Sequence, residues 1–133
     1  LNRYIIDSYA MMAYFEDEPG ADIVADILKA IVDKKAKGYM CIINWVEIYY
    51  NTYRVLGEDH AEKVVSQLTR YAIEFIDADQ SLTYEAAKLK GRHKIAYADC
   101  FAVALANRLD AKVVTGDPEF RKLESEIAVE WVV

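Results

Sequence analysis

The sequence is poor in the residues that punctuate or cross-link a chain. Among 133 residues there are 5 glycines, 2 prolines, 2 cysteines and 2 histidines. No Pro/Gly/Ser-rich linker, low-complexity tract or internal repeat divides it, so one domain over residues 1–133 is expected. Cys41 and Cys100 lie in apolar segments without metal-like spacing. They read as buried thiols of a reducing compartment. His60 and His93 both stand in polar contexts, which argues against a zinc site and a Ser-His-acid triad. There is no Gly-rich phosphate loop of the Walker or dinucleotide type and no Gly-x-Ser-x-Gly elbow. No apolar run is long enough to span a bilayer, and no basic-then-apolar segment opens the sequence. A cytoplasmic protein with no membrane partner is expected. Basic charge is also scarce: the formal net charge is −6, which counts against a simple DNA-binding module.

What the chain does have is apolar residues, at 54%, and four acids set among them. Asp7 ends the run Tyr4-Ile5-Ile6. Glu47 lies within Cys41-Ile42-Ile43-Asn44-Trp45-Val46-Glu47-Ile48. Asp99 interrupts the segment from Ala96 to Ala106. Asp117 follows Lys112-Val113-Val114-Thr115-Gly116. A carboxylate beside a core segment bears a desolvation cost unless something pairs with it. A divalent metal would pair with all four at once. Two such ions would bring the formal charge to about −2 and ease the objection to a nucleic-acid substrate.

The pattern of apolar residues alternates strands with helices. Tyr4 to Ile6 reads as a buried strand and Ser8 to Phe15 as a short helix, closed by the acidic turn Glu16 to Gly20. Ile23, Val24, Ile27, Leu28 and Ile31 mark an amphipathic helix from Ala21 to Ala36, with Gly38 as its terminator. Tyr39 to Ile42 reads as the second strand. Helices follow from Asn44 to Leu56 and from Asp59 to Tyr71, then a strand from Ala72 to Ile76. Asp79 caps a helix from Gln80 to Lys90, and Gly91 to Lys94 form a polar loop. Ala98 to Leu109 is the most apolar helix. Lys112 to Val114 is the fourth strand, Asp117-Pro118 starts a short helix, and Ile127 to Val132 is the last strand. The order implies an α/β fold with three α/β/α layers, a mainly parallel sheet of about five strands and helices on both faces. Ligands of such sheets bind at the carboxyl ends of the strands. Asp7 and Asp117 follow strands one and four. Glu47 is expected in the first turn after strand two, and Asp99 in the first turn of the central helix.

Each acid also has an ordinary structural explanation. Asp7 and Asp117 suit helix N-caps, Asn44 with Glu47 suits a capping box, and Asp99 suits the positive end of a helix. Taken singly, those readings are favoured. Their convergence on one sheet edge favours a shared site. Asp77, Asp79 and the turn Glu16-Asp17-Glu18 stay outside that group. Arg92, His93 and Lys94 form a basic loop that suits either solvent or phosphate.

Four segments resemble the PIN-domain family, and within it the toxin nucleases of VapBC toxin–antitoxin systems. Ile5-Ile6-Asp7-Ser8-Tyr9-Ala10 resembles the family's opening strand. Asn44-Trp45-Val46-Glu47-Ile48 resembles its Glu-bearing helix, although Ser or Thr is more usual at Asn44. Tyr97 to Ala106 resembles the central helix, and Val113-Val114-Thr115-Gly116-Asp117-Pro118-Glu119-Phe120 the late Thr-x-Asp segment. The resemblance covers essentially the whole chain and implies a metal-dependent endoribonuclease. Asp7, Glu47, Asp99 and Asp117 would be both catalytic and metal-binding, holding one or two Mg²⁺ or Mn²⁺ ions, with Ser8 and Thr115 orienting a ligand or water. Hard cations suit an all-carboxylate set. One ion would activate water and a second would stabilise the leaving oxygen. Arg92 and Lys94 are candidates for RNA contact. The toxin relatives also imply a homodimer and an inhibitory antitoxin, with the helix around Tyr49, Tyr50 and Tyr53 as a candidate contact surface.

Three alternatives share the architecture. One is a PIN-like RNA-processing nuclease outside a toxin–antitoxin pair. Another is a non-catalytic PIN-like scaffold, against which the intact acids argue. The third is a receiver-type module, which needs a second acid beside Asp7 and a Lys after the last strand; the sequence has neither.

Overall fold

The computed structural model describes all residues from Leu1 to Val133. Its elements in chain order are β1 (Asn2–Ile6), α1 (Ser8–Phe15), α2 (Ala21–Val32), β2 (Ala36–Cys41), α3 (Ile42–Leu56), α4 (Glu58–Leu68), β3 (Glu74–Ile76), α5 (Gln80–Arg92), α6 (Tyr97–Leu109), β4 (Lys112–Thr115) and β5 (Val129–Trp131). Short 3₁₀ turns cover Thr69–Tyr71 and Pro118–Leu123. All four strand pairings are parallel, in the order β3-β2-β1-β4-β5. This is the expected α/β architecture.

Strand periodicity sorts the core into two layers. Tyr4 and Ile6 on β1, Met40 on β2 and Val114 on β4 pack against apolar residues of α1, α2, α3 and α4. Their neighbours Ile5, Cys41 and Val113 pack on the other face, against α5, α6 and Phe120 and Leu123 of the second 3₁₀ turn. Side chains two residues apart share a face, so burial on both sides leaves β1 almost wholly apolar after Arg3. On α6, Asp99 to Ala106 are all buried, and Asp99 is the only charged member of that run.

Several local expectations are corrected. The second helix stops at Val32 rather than Ala36: Lys34 takes the left-handed conformation, φ 61°, and ends it. Gly38 is therefore not a helix terminator but a residue of β2. A Cβ there would lie 2.4 Å from Ile31 Cδ1, so the glycine lets α2 seat against the strand. Ala72 is also left-handed, φ 58°, and delays β3 to Glu74. Gly91 belongs to α5, which continues to Arg92, rather than to a loop.

β1 is central, with β2 on one side and β4 on the other. The order therefore reverses between β1 and β4, and in such sheets ligands bind at that switch point, outside the carboxyl ends of the strands.

Candidate active site

Asp7 is the first residue beyond β1 and lies at that switch point. Its N–H donates to Val114 O of β4 at 3.3 Å. Its side chain also caps α1: Oδ1 accepts from the Ala10 N–H at 2.8 Å. The cap reading is thus correct, and it accounts for one oxygen. The other, Oδ2, is buried and has no protein partner. Asp7 is only 1% exposed. Burial pushes its carboxyl up to about 8; the Thr115 hydroxyl nearby and the Ala10 N–H offset part of this, and the charges of Asp99 and Asp117 add to it. The Thr115 hydroxyl also accepts the Asp117 N–H at 3.0 Å, and its own proton is directed at the Asp7 carboxyl only in poor geometry.

Asp99, in the first turn of α6, is 6% exposed. Burial first, then the charges of Asp117, Glu47 and Glu119, raise it to about 7, and no hydrogen bond offsets the rise. Its place at a helix N-terminus is favourable by only about 0.3–1 kcal/mol. Desolvating a carboxylate costs several kcal/mol, so the helix terminus does not compensate the burial. No lysine or arginine is among the charges that act on Asp7 or Asp99.

Glu47 reaches the same region from α3. Its expected capping box is absent. Cys41, not Asn44, is the N-cap, so Asn44 is the third residue of α3 and Glu47 lies in its second turn. Asn44 is fully buried and ties the two helix starts together: its Nδ2 donates to Ala98 O at 3.3 Å, beside Asp99, while Oδ1 has no partner. Ser8, at the start of α1, donates its hydroxyl to Glu47 Oε1. Asp117 follows β4 and caps the second 3₁₀ turn, with Oδ1 accepting from the Glu119 N–H at 2.9 Å.

Asp7 thus feels the charges of Asp99 and Asp117, and Asp99 those of Asp117 and Glu47, which links the four acids electrostatically through Asp99. Glu119 joins them and was not singled out from the sequence. The available signal was an acid two residues after Asp117, in the first turn beyond Pro118. Gly116 closes this corner. A Cβ there would lie 2.4 Å from Tyr9 Cε1 and 2.7 Å from Val133 Cγ2, so only glycine lets Tyr9 lie over the β4 exit.

Neither basic candidate, Arg92 nor Lys94, is among the charges acting on Asp7 or Asp99. Arg92 lines a surface depression with Ser81, Leu89 and Arg108, toward the far end of α6 from Asp99. Lys94 contributes its carbonyl, which accepts from Lys122 Nζ at 3.2 Å; the same ammonium donates to Glu119 Oε2 at 2.9 Å. Asp79 is an ordinary cap of α5, held below its usual range first by the Leu82 N–H and then by Arg108.

No three carboxylates, thiols or imidazoles are spaced to hold an ion among them. Mg²⁺ is commonly held by one or two carboxylates and several waters, so a three-ligand cage is not a requirement. The donors here are all hard oxygens, and the unpartnered Asp7 Oδ2 gives such a cation an anchor. By donor chemistry the residues fit Mg²⁺ or Mn²⁺.

A family model described as PIN domain matches residues 4–126. No curated protein sequence matches the chain. Among solved structures, the chain is similar to VapBC2 from Rickettsia felis bound to a promoter DNA fragment. That match has a TM-score of 0.76 at 16% identity, covering 96% of this chain and 97% of that one. A DNA-bound VapBC from Salmonella typhimurium gives a TM-score of 0.76 at 13% identity over 100% of both chains. Mycobacterium tuberculosis VapC20, described as a sarcin-ricin loop cleaving toxin, gives 0.72 at 11% identity, covering 96% and 97%. At such identities the likeness is one of fold.

Proposed function

The chain belongs to the PIN-domain family, and on that premise we propose that it is a metal-dependent endoribonuclease, the toxin of a toxin–antitoxin pair. One observation carries the metal-dependent part. Asp7 and Asp99 are buried, raised to about 8 and about 7, and pressed by further acids with no cation among the charges acting on them. A fold retains such a group when something positive completes it.

Asp7, Glu47, Asp99 and Asp117 would hold Mg²⁺ or Mn²⁺. Asp7 offers Oδ2, the oxygen its cap leaves free. An ion held there would supply activation of the attacking water and neutralisation of charge on the phosphodiester. Ser8 fixes the Glu47 carboxylate through its hydroxyl. Thr115 holds the turn that presents Asp117. No side chain is needed as a nucleophile. The toxin assignment, with an antitoxin as partner and RNA as substrate, is supported by the VapBC likenesses. A homodimer is part of the same reading.

The test is cleavage of RNA in Mg²⁺ or Mn²⁺ by wild type, Asp7→Asn and Asp99→Asn. Metal-dependent cutting by wild type and its loss in both variants are expected. Equal cutting by all three proteins would sink the assignment.

A further inference from the structure

An acidic nuclease has to attract a polyanion. The chain carries a net charge of −6, and no lysine or arginine acts on the two buried acids. Lys122, the lysine that touches this acid group, is already paired with Glu119. Aromatic rings are another general source of affinity, since every nucleobase has a face that stacks.

Two exposed tyrosines adjoin members of the acid group along the chain. Tyr9 follows Ser8, the partner of Glu47, and is 39% exposed. Its ring is pinned over Gly116, next to Asp117, as the 2.4 Å approach to a Cβ at that position shows. Tyr50, 44% exposed, lies three residues after Glu47 on α3. Residues at i and i+3 share a helix face, so Tyr50 follows Glu47 about 4.5 Å further along the axis. Arg54 continues that face one turn beyond, with its guanidinium 5.6 Å from the centre of the Tyr50 ring. This cation–π contact orients the ring and leaves a donor beside it for phosphate. The other aromatic stripe of α3 is engaged elsewhere: Tyr49 stacks on Trp45 and donates to Glu62 of α4 at 2.8 Å.

We propose that Tyr9 and the Tyr50–Arg54 pair are stacking platforms for unpaired bases of the RNA substrate beside the carboxylate group. The inference rests on the ribonuclease reading above. A base inside a helix has no free face for Tyr9 or Tyr50, and a strand held by stacking needs few phosphate contacts. Tyr84 on α5 provides an internal comparison. It is exposed and has a cation, Lys88, 4.4 Å from its ring centre. Its helix starts at Asp79, which pairs with Arg108 at the end of α6 remote from Asp99.

The test uses Asp99→Asn in Mg²⁺ as a non-cutting parent, with fluorescence anisotropy of a short single-stranded oligoribonucleotide and of the same strand in a duplex. Tighter binding of the single strand is expected. Tyr9→Leu and Tyr50→Leu each weaken it about fivefold or more, Tyr50→Trp retains it, and Tyr84→Leu leaves it unchanged. Arg54→Gln flattens the slope of log affinity against log salt by about 0.7, one phosphate contact. Melting temperatures near the parent's show that the variants are folded. Parental affinity in both Tyr→Leu variants, or equal affinity for duplex, would overturn the inference while leaving cleavage by wild type intact. Unchanged RNA binding with an altered sedimentation coefficient in those variants would also overturn it, assigning the face to a protein partner. If wild type cuts no RNA and the parent binds none, the ribonuclease reading fails and takes the inference with it.

Discussion

The Ser8 hydroxyl donates to Glu47 Oε1, joining the first residue of α1 to the second turn of α3. This bond replaces the local capping box as the determinant of where Glu47 points. Ser8→Ala is expected to cost about 0.5–1.5 kcal/mol in urea unfolding, the worth of one hydrogen bond. RNA cleavage at limiting Mg²⁺ is expected to fall by about tenfold, since a ligand free to rotate must be ordered again on binding.

Acidity and metal are coupled at Asp7 and Asp99. Their carboxyls, raised from 3.8 to about 8 and about 7, give up protons less readily folded than unfolded. Metal-free protein is then most stable with respect to these groups below about pH 4, and that stability is lost as pH rises toward 8. A thermal melt in EDTA across this range is expected to show a falling Tm. Mg²⁺ opposes the trend, and its effect on Tm is expected to be larger at pH 8 than at pH 5, where protons compete for the same oxygens. At a hundredfold excess over its Kd an ion adds about 2.7 kcal/mol. A Tm insensitive to Mg²⁺ at pH 8 would contradict the metal site.

Gly116 is a steric requirement of the β4 exit. Gly116→Ala is expected to destabilise by about 1–3 kcal/mol, because Tyr9 and Val133 both stand within 3 Å of the new methyl group. Adding Tyr9→Ala should recover part of that loss. A double-mutant cycle read by chemical denaturation measures the coupling, and strict additivity would show that the two residues do not meet.

Asp79 marks the limit of the acid group. Its carboxylate caps α5 and pairs with an exposed Arg108. Asp79→Ala is expected to lower the urea-unfolding midpoint by removing the cap of α5 and to leave RNA cleavage unchanged. Loss of cleavage at wild-type stability would place it in the site instead.

The architecture was legible because it depends on periodicity. Apolar runs such as Ile5-Ile6 and Val113-Val114 mark strands covered on both faces, and their parallel pairing followed from the intervening helices. Element boundaries failed where a single backbone conformation decided them. Lys34 and Ala72 adopt positive φ without being glycine, while Gly38 and Gly91 sit inside regular elements. The acids stood out because isolated carboxylates amid apolar residues are costly. Their local partners were harder to read. Asn44 points across to Ala98 of α6, and Ser8 to Glu47, both long-range contacts that no i, i+3 rule contains. Glu119 was missed because it sits in an exposed turn and acquires meaning only beside Asp99.

The pairing of β1 with β4 has a kinetic consequence. Residues 2–6 and 112–115 are far apart in sequence, and Asp7 meets Asp117 only when those strands dock. A growing polypeptide that has not yet delivered Lys112–Thr115 has the first carboxylate but no partner for it. Long-range strand pairing is a slow, late step of folding. The acid group thus assembles only after residues 112–117 have been made, and products truncated before them carry the opening motif without the means to use it.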